Sequence, residues 1–210
     1  MTVRHKLALT SAALSAVALL AGCGSGAGTT DTSEQPATSS VNMHGAPEVQ
    51  NPLDTEAFQQ KPCSVLESDQ INALDMQQWE VEQEMDAVGG PKCGWTYMGG
   101  PPDYTVSNTG VTFMAKGTGL KGVYQRKDAF EYFRELKPVE GFPAVAGASL
   151  APQTSTPEEA GECDIHVGVT DDLAVTTQVS LGEGSPYAGD PCGRARDVAT
   201  EVVKTLKAGA

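Results

Sequence analysis

Cysteines stand at 63, 93, 163 and 192, each far from the next along the chain. A four-thiolate zinc site draws its ligands in pairs separated by two to four residues, and no such pair exists here. Where thiols are oxidised, the four become two disulfides, and each bond requires two Cα atoms to meet at about 4.4–6.8 Å. Each crosslink contributes about 2–4 kcal/mol, mainly by restricting the unfolded chain. Three pairings are open. Joining Cys63 to Cys93 and Cys163 to Cys192 is preferred, since each bond then ties a helix start to the strand nearest it in sequence.

The oxidising compartment is indicated at the other end of the chain. Arg4, His5 and Lys6 precede an apolar run from Leu7 to Leu20, the n-region and h-region of a signal peptide. A spanning helix needs about twenty apolar residues; this run is shorter and ends in small residues, which argues against a permanent membrane span. Leu20-Ala21-Gly22-Cys23 resembles the lipobox of bacterial lipoproteins, in which the cysteine accepts diacylglycerol before a peptidase cuts on its amino side. The expectation is a signal peptide over residues 1–22 and lipid on Cys23. Acyl chains, at roughly 0.8 kcal/mol per buried methylene, would then hold the protein at the outer face of the cytoplasmic membrane. With Cys23 assigned to lipid, an even set of four cysteines remains for the exported domain.

Residues 24 to about 50 are rich in Gly, Ser, Thr and Pro and nearly free of large apolar side chains. Such a segment cannot bury enough surface to offset its ordering entropy. Residues 23–50 therefore read as lipidated cysteine plus flexible tether, and residues 51–208 as one domain of ordinary size. The formal net charge is −13, and loss of Arg4 and Lys6 with the signal peptide makes the mature chain more acidic still. Nucleic acid requires a basic footprint, so DNA and RNA are excluded as partners.

Within the domain, Ser64 with Glu67, and Ser68 with Asp69, fit helix starts, predicting a short two-stepped helix over 64–75. Trp79, Val81, Met85 and Ala87 alternate with Glu80, Glu82, Glu84 and Asp86 until Gly89-Gly90-Pro91, the pattern of a strand with one wet acidic face. Cys93, Trp95 and Tyr97 continue the alternation after the turn, as in a hairpin. Gly99-Gly100-Pro101-Pro102 forces a loop, Val111 and Phe113 mark a strand, and Leu120, Val123 and Tyr124 a helical turn ending near Arg126. Residues 129–136 fit either period, with strand preferred. Cys163 to Leu181 reads as two strands joined at Asp171-Asp172. Asp190-Pro191 opens a terminal helix whose apolar face is Ala195, Val198, Ala199, Val202, Val203 and Leu206. The sum is an α+β domain: a curved antiparallel sheet with a short N-terminal helix and a C-terminal helix packed on it, held by two disulfides.

Catalytic chemistry has few candidates. His5 falls in the signal peptide and His44 in the tether, leaving His166, out of phase with Cys163, Ile165 and Val167 and so expected on the solvent side as a surface residue rather than a base. No nucleophile elbow, metalloprotease helix or phosphate loop is present, and disulfide formation leaves no free thiol. Glu80, Glu82 and Glu84 stand about 6.6–7 Å apart along one strand face, within reach of an inverting glycosidase pair; exposed neighbours of this kind are ordinarily just solvated. Asp171-Asp172 and Glu158-Glu159 lack the spacing of a calcium loop. No catalytic residue, metal or cofactor is expected.

Pro62-Cys63-Ser64-Val65-Leu66, Cys93-Gly94-Trp95, Gly141-Phe142-Pro143-Ala144-Val145, Cys163 at a strand start and Asp190-Pro191-Cys192 before a helix, in that order, resemble the domain-of-unknown-function 3558 lipoproteins of actinobacteria. The resemblance covers about 60–207 and implies address, cysteines and domain extent, with no activity attached. One departure is Leu74-Asp75, where a Leu-Gly stop is expected. The functional expectation is a non-enzymatic binding or accessory module of the cell envelope, engaging an envelope protein, a wall polymer or an amphiphile. Its rival is a carboxylate-dependent hydrolase of cell-wall glycans. Intact mass of the membrane-extracted protein checks the address: a diacylglyceryl increment on a chain starting at Cys23, with four thiols alkylated only after reduction. An unlipidated chain, or thiols free before reduction, contradicts it.

Overall fold

The structure, a computed structural model, describes residues 43–99, 106–116, 118–150 and 154–209. The expected signal peptide, Cys23 and most of the expected tether lie outside the described residues. In chain order the elements are α1 (Glu56–Gln60), a 3-10 turn (Pro62–Val65), α2 (Ser68–Ala73), β1 (Glu80–Glu84), β2 (Lys92–Met98), β3 (Val106–Phe113), α3 (Gly119–Gln125), a 3-10 turn (Lys127–Ala129), β4 (Tyr132–Glu135), β5 (Ala144–Ala148), α4 (Pro157–Ala160), β6 (Glu162–Gly168), β7 (Ala174–Ser180) and α5 (Pro191–Gly209). The strands form one open sheet in the order β1-β2-β3-β7-β6-β5-β4, antiparallel throughout.

Because side chains alternate across a strand, register sorts the sheet residues into two faces. Cys93, Trp95, Val111, Phe113, Ile165, Val167, Val175 and Val179 point to one of them and are buried. Against them lies α5, whose six predicted apolar positions are all at or below 1% exposure. Asp190 caps it, its carboxylate accepting from the Gly193 amide at 2.8 Å. Each such valine or leucine removed from water contributes about 1.5–3 kcal/mol, so this contact is the main stabilising layer.

The α+β reading and both disulfides hold: Cys63 bonds Cys93 and Cys163 bonds Cys192. The first ties the 3-10 turn to β2; the second ties the start of α5 to the start of β6. Residues 129–136 resolve to a 3-10 turn and then strand β4. The two-stepped N-terminal helix is the 3-10 turn followed by α2, with Gln70 Oε1 accepting from the Glu67 amide at 2.8 Å. The end of the stretch expected to be tether is packed: Ala46 and Val49 are buried and the Val49 amide donates to Asp171 Oδ1 at 3.0 Å, so the folded part includes these residues as well as 51 onward. The sequence stretch looked too polar to fold because its few apolar residues are small and widely spaced.

Asp75 explains the missing Leu-Gly stop. Its φ is +52°, in the left-handed region where Asp is among the better-tolerated residues after glycine. Its carboxylate accepts from the Tyr187 hydroxyl at 2.7 Å, and the Arg194 guanidinium sits 4.2 Å above that tyrosine ring while donating to the Leu74 carbonyl. An aspartate here terminates α2 and joins its end to α5.

Replacing Cys163 and Cys192 together by alanine opens a loop spanning a sequence separation of 29. Urea denaturation should then show a loss of about 3–4 kcal/mol by the loop-entropy relation, with the same fold by circular dichroism.

Candidate functional site

On the sheet face turned away from α5, register lays out three rows. Glu82, Gly94, Gly110, Gln178 and Asp164 form the middle one; Glu80, Thr96, Asn108, Ser180 and Glu162 lie on one side, and Glu84, Lys92, Thr112, Thr176 and His166 on the other. No side chain rises from this row on β2 or β3, because the paired positions 94 and 110 are both glycine, and the Lys92 side chain reaches over Gly110. A Cβ built at Gly94 would find its nearest neighbour 3.9 Å away, at the Glu82 carbonyl. The result is a groove in two adjoining parts, of about 630 Å³ and about 650 Å³, which share Glu84, Lys92 and Gln178.

The first part is acidic and hydrogen-bonding, with Glu82, Glu84, Glu162 and Asp164 on its walls. Thr96 donates to Asn108 Oδ1 at 2.9 Å and Ser180 to Glu162 Oε1 at 3.2 Å. Asp164 accepts from Gln178 Nε2 at 3.4 Å. Loss of water around Asp164, with Glu162 adding and Gln178 opposing, raises its pKa from the ordinary 3.8 to about 6. The second part is bounded by the β1–β2 turn and α3, and carries Lys92, Lys116 and Arg126.

His166 corrects a sequence expectation. It does lie out of phase with Cys163, but it is buried at 6% exposure. Its Nε2 donates to the Gly147 carbonyl at 3.1 Å, which leaves Nδ1 to accept from Thr176 Oγ1 at 2.8 Å. Burial, opposed by the Gly147 bond and reinforced by nearby Arg126, lowers its pKa from 6.5 to about 4. The expectation failed because this end of the face is itself covered. Leu120, Val123 and Tyr124 of α3 form a second small core with Val145, against which Phe130 and Phe133 pack. Those aromatics were legible in the sequence, and they needed a surface that α5 does not supply; that was the missed signal.

The other candidates separate. Glu80, Glu82 and Glu84 share a face as predicted, but the whole of β1 is exposed. Asp164 lies four strands from Glu82, about 19 Å at ordinary strand spacing, too far for a catalytic pair. Asp171 binds the Val49 amide and Asp172 pairs with Lys121. Glu159 and Thr156 cap α4. Among the described residues no three His, Cys, Asp or Glu side chains gather to hold a metal ion, and no helix there is long and apolar enough to cross a membrane.

Fold and face together define a disulfide-linked α+β module with a polar groove across one sheet face. The family model described as "Protein of unknown function (DUF3558)" matches residues 18–205, and the chain belongs to that family. No curated protein and no solved structure matches it.

The two shifted groups act oppositely on stability. Asp164 holds its proton more tightly in the fold, so between about pH 4 and 6 it makes stability fall as pH rises; His166 holds its proton less tightly, so from about pH 4 to 6.5 it makes stability rise. Removing the first should expose the second. Thermal melts should show Tm of Asp164→Asn minus wild type increasing from pH 4 to about 6 and level above; a difference independent of pH refutes the assignment.

Proposed function

We propose that this chain is an extracytoplasmic lipoprotein, anchored through Cys23, that serves as a non-enzymatic binding or accessory module of the cell envelope, with the open sheet face as its binding surface. One observation carries the reading. In a sheet whose other face is filled by α5, this face keeps a groove over the Gly94–Gly110 floor, lined by charged and amide side chains. Ligand sites are typically concave clefts of about 300–1,000 Å³ with a few polar groups on a mainly apolar lining; both parts of the groove match in volume and are more polar in lining. The membrane reaches the domain through the N-terminal lipid; the groove faces an envelope protein, a wall polymer or an amphiphile. A hydrolase acting on wall glycans has less support, since Glu82 and Glu84 are exposed and, among the described residues, the carboxylates on the far wall, Glu162 and Asp164, lie four strands away.

A photoreactive residue in place of Gly94, in the lipidated protein in its own membrane, tests this. Its side chain enters open space, so the fold is retained. Crosslinks are expected from position 94 and absent from Lys204 on exposed α5 surface; equal crosslinking from both positions, or none from 94, removes the groove as the binding face.

A further inference from the structure

The two halves of the groove differ in charge, and the difference points to a ligand class. The half beside α3 carries three cations, Lys92, Lys116 and Arg126, against one carboxylate, Glu84, in a chain of formal net charge −13. His166, with its pKa lowered to about 4, adds no charge at neutral pH. Charges beyond about 8 Å are screened at physiological salt, while Glu82 and Asp164 stand only about 7 Å along their strands from Glu84 and His166, so the cationic excess is confined to the lining beside α3. Thr112 adds a hydroxyl on the floor, next to the cations, while that of Thr176 is committed to His166. The rim has an apolar part: Val88 is 97% exposed at the β1–β2 turn, and Met114 lines the same half. At that exposure Val88 makes almost no contact among the described residues, so an apolar group entering beside it would gain that contact.

We propose that this half of the groove binds a phosphate monoester carrying a short apolar tail. The proposal rests on the open face being a binding surface. A phosphate monoester carries about −1.5 to −2 at neutral pH, matching the local excess of two positive charges, and its oxygens accept from guanidinium, ammonium and hydroxyl donors at once. The tail lies along Val88 and Met114. A neutral sugar finds no aromatic platform here, and a bare inorganic anion leaves the apolar rim wet.

The test uses the full lipidated chain in nanodiscs of neutral phosphatidylcholine, with carbon-13 methionine methyls observed by NMR. Hexyl phosphate should shift Met114 saturably and leave Met76, fully buried in the main core, unmoved. Inorganic phosphate should bind at least tenfold more weakly, and hexyl glucoside not at all. Val88→Asp changes only an exposed rim position, so the fold is retained; it and Lys92→Gln should each weaken hexyl phosphate at least tenfold. An unmoved Met114, equal binding of hexyl glucoside, or unchanged affinity in both variants overturns the proposal. Crosslinks from position 94 together with silence toward hexyl phosphate would discard this ligand class and keep the binding face; silence in both would discard both.

Discussion

Everything in this domain depends on the burial of one stripe of α5 against one face of the sheet. Val198, Ala199, Val202, Val203 and Leu206 are withdrawn from water almost completely, and the strand residues beneath them are fixed by alternation. Once that contact sets which side chains point inward, the identity of every residue on the opposite face follows, because a slip of one position would exchange the two sets. The polar groove is thus a by-product of core register. The Cys163–Cys192 bond fastens the contact at its start, next to the aspartate cap, so that helix and strand enter the core in a fixed relation.

The parts legible in the sequence are those where periodicity was uninterrupted. The apolar face of α5, the β6–β7 pair and the β1–β2 hairpin could all be read from spacing, and the preferred cysteine pairing followed from chain proximity. Strand β5 gave little signal because Ala144-Val145-Ala146-Gly147-Ala148 is buried on both sides and its small residues show no alternation. α1 and α4 are five and four residues long, too short for a helical period to emerge. The groove itself could not be read. It arises from glycines on two strands falling opposite each other and from cations contributed by β2, the segment after β3, and the residue that follows α3, and only tertiary pairing brings those together.

His166 shows how face assignment can succeed while its interpretation fails. Alternation placed it correctly away from Cys163, but the inference from face to solvent assumed a single-layer covering. The aromatic residues of 124–133 build a second, smaller layer there, so the domain has helices on both sides of its sheet. A neutral histidine bridging β6 to β5 through the Gly147 carbonyl and to β7 through Thr176 serves as a crosspiece between three neighbouring strands.

The exposed edge strand β1 bears on how such a protein behaves in company. A free strand edge is a template for pairing with a second copy, and under the proposed lipid anchor copies would meet at far higher local density than in solution. Glu80, Glu82 and Glu84 line that edge on one side, so two edges brought together would set carboxylates against carboxylates, an arrangement that destabilises pairing. The same three residues that looked like candidates for catalysis are well placed to keep crowded copies from zipping into one continuous sheet.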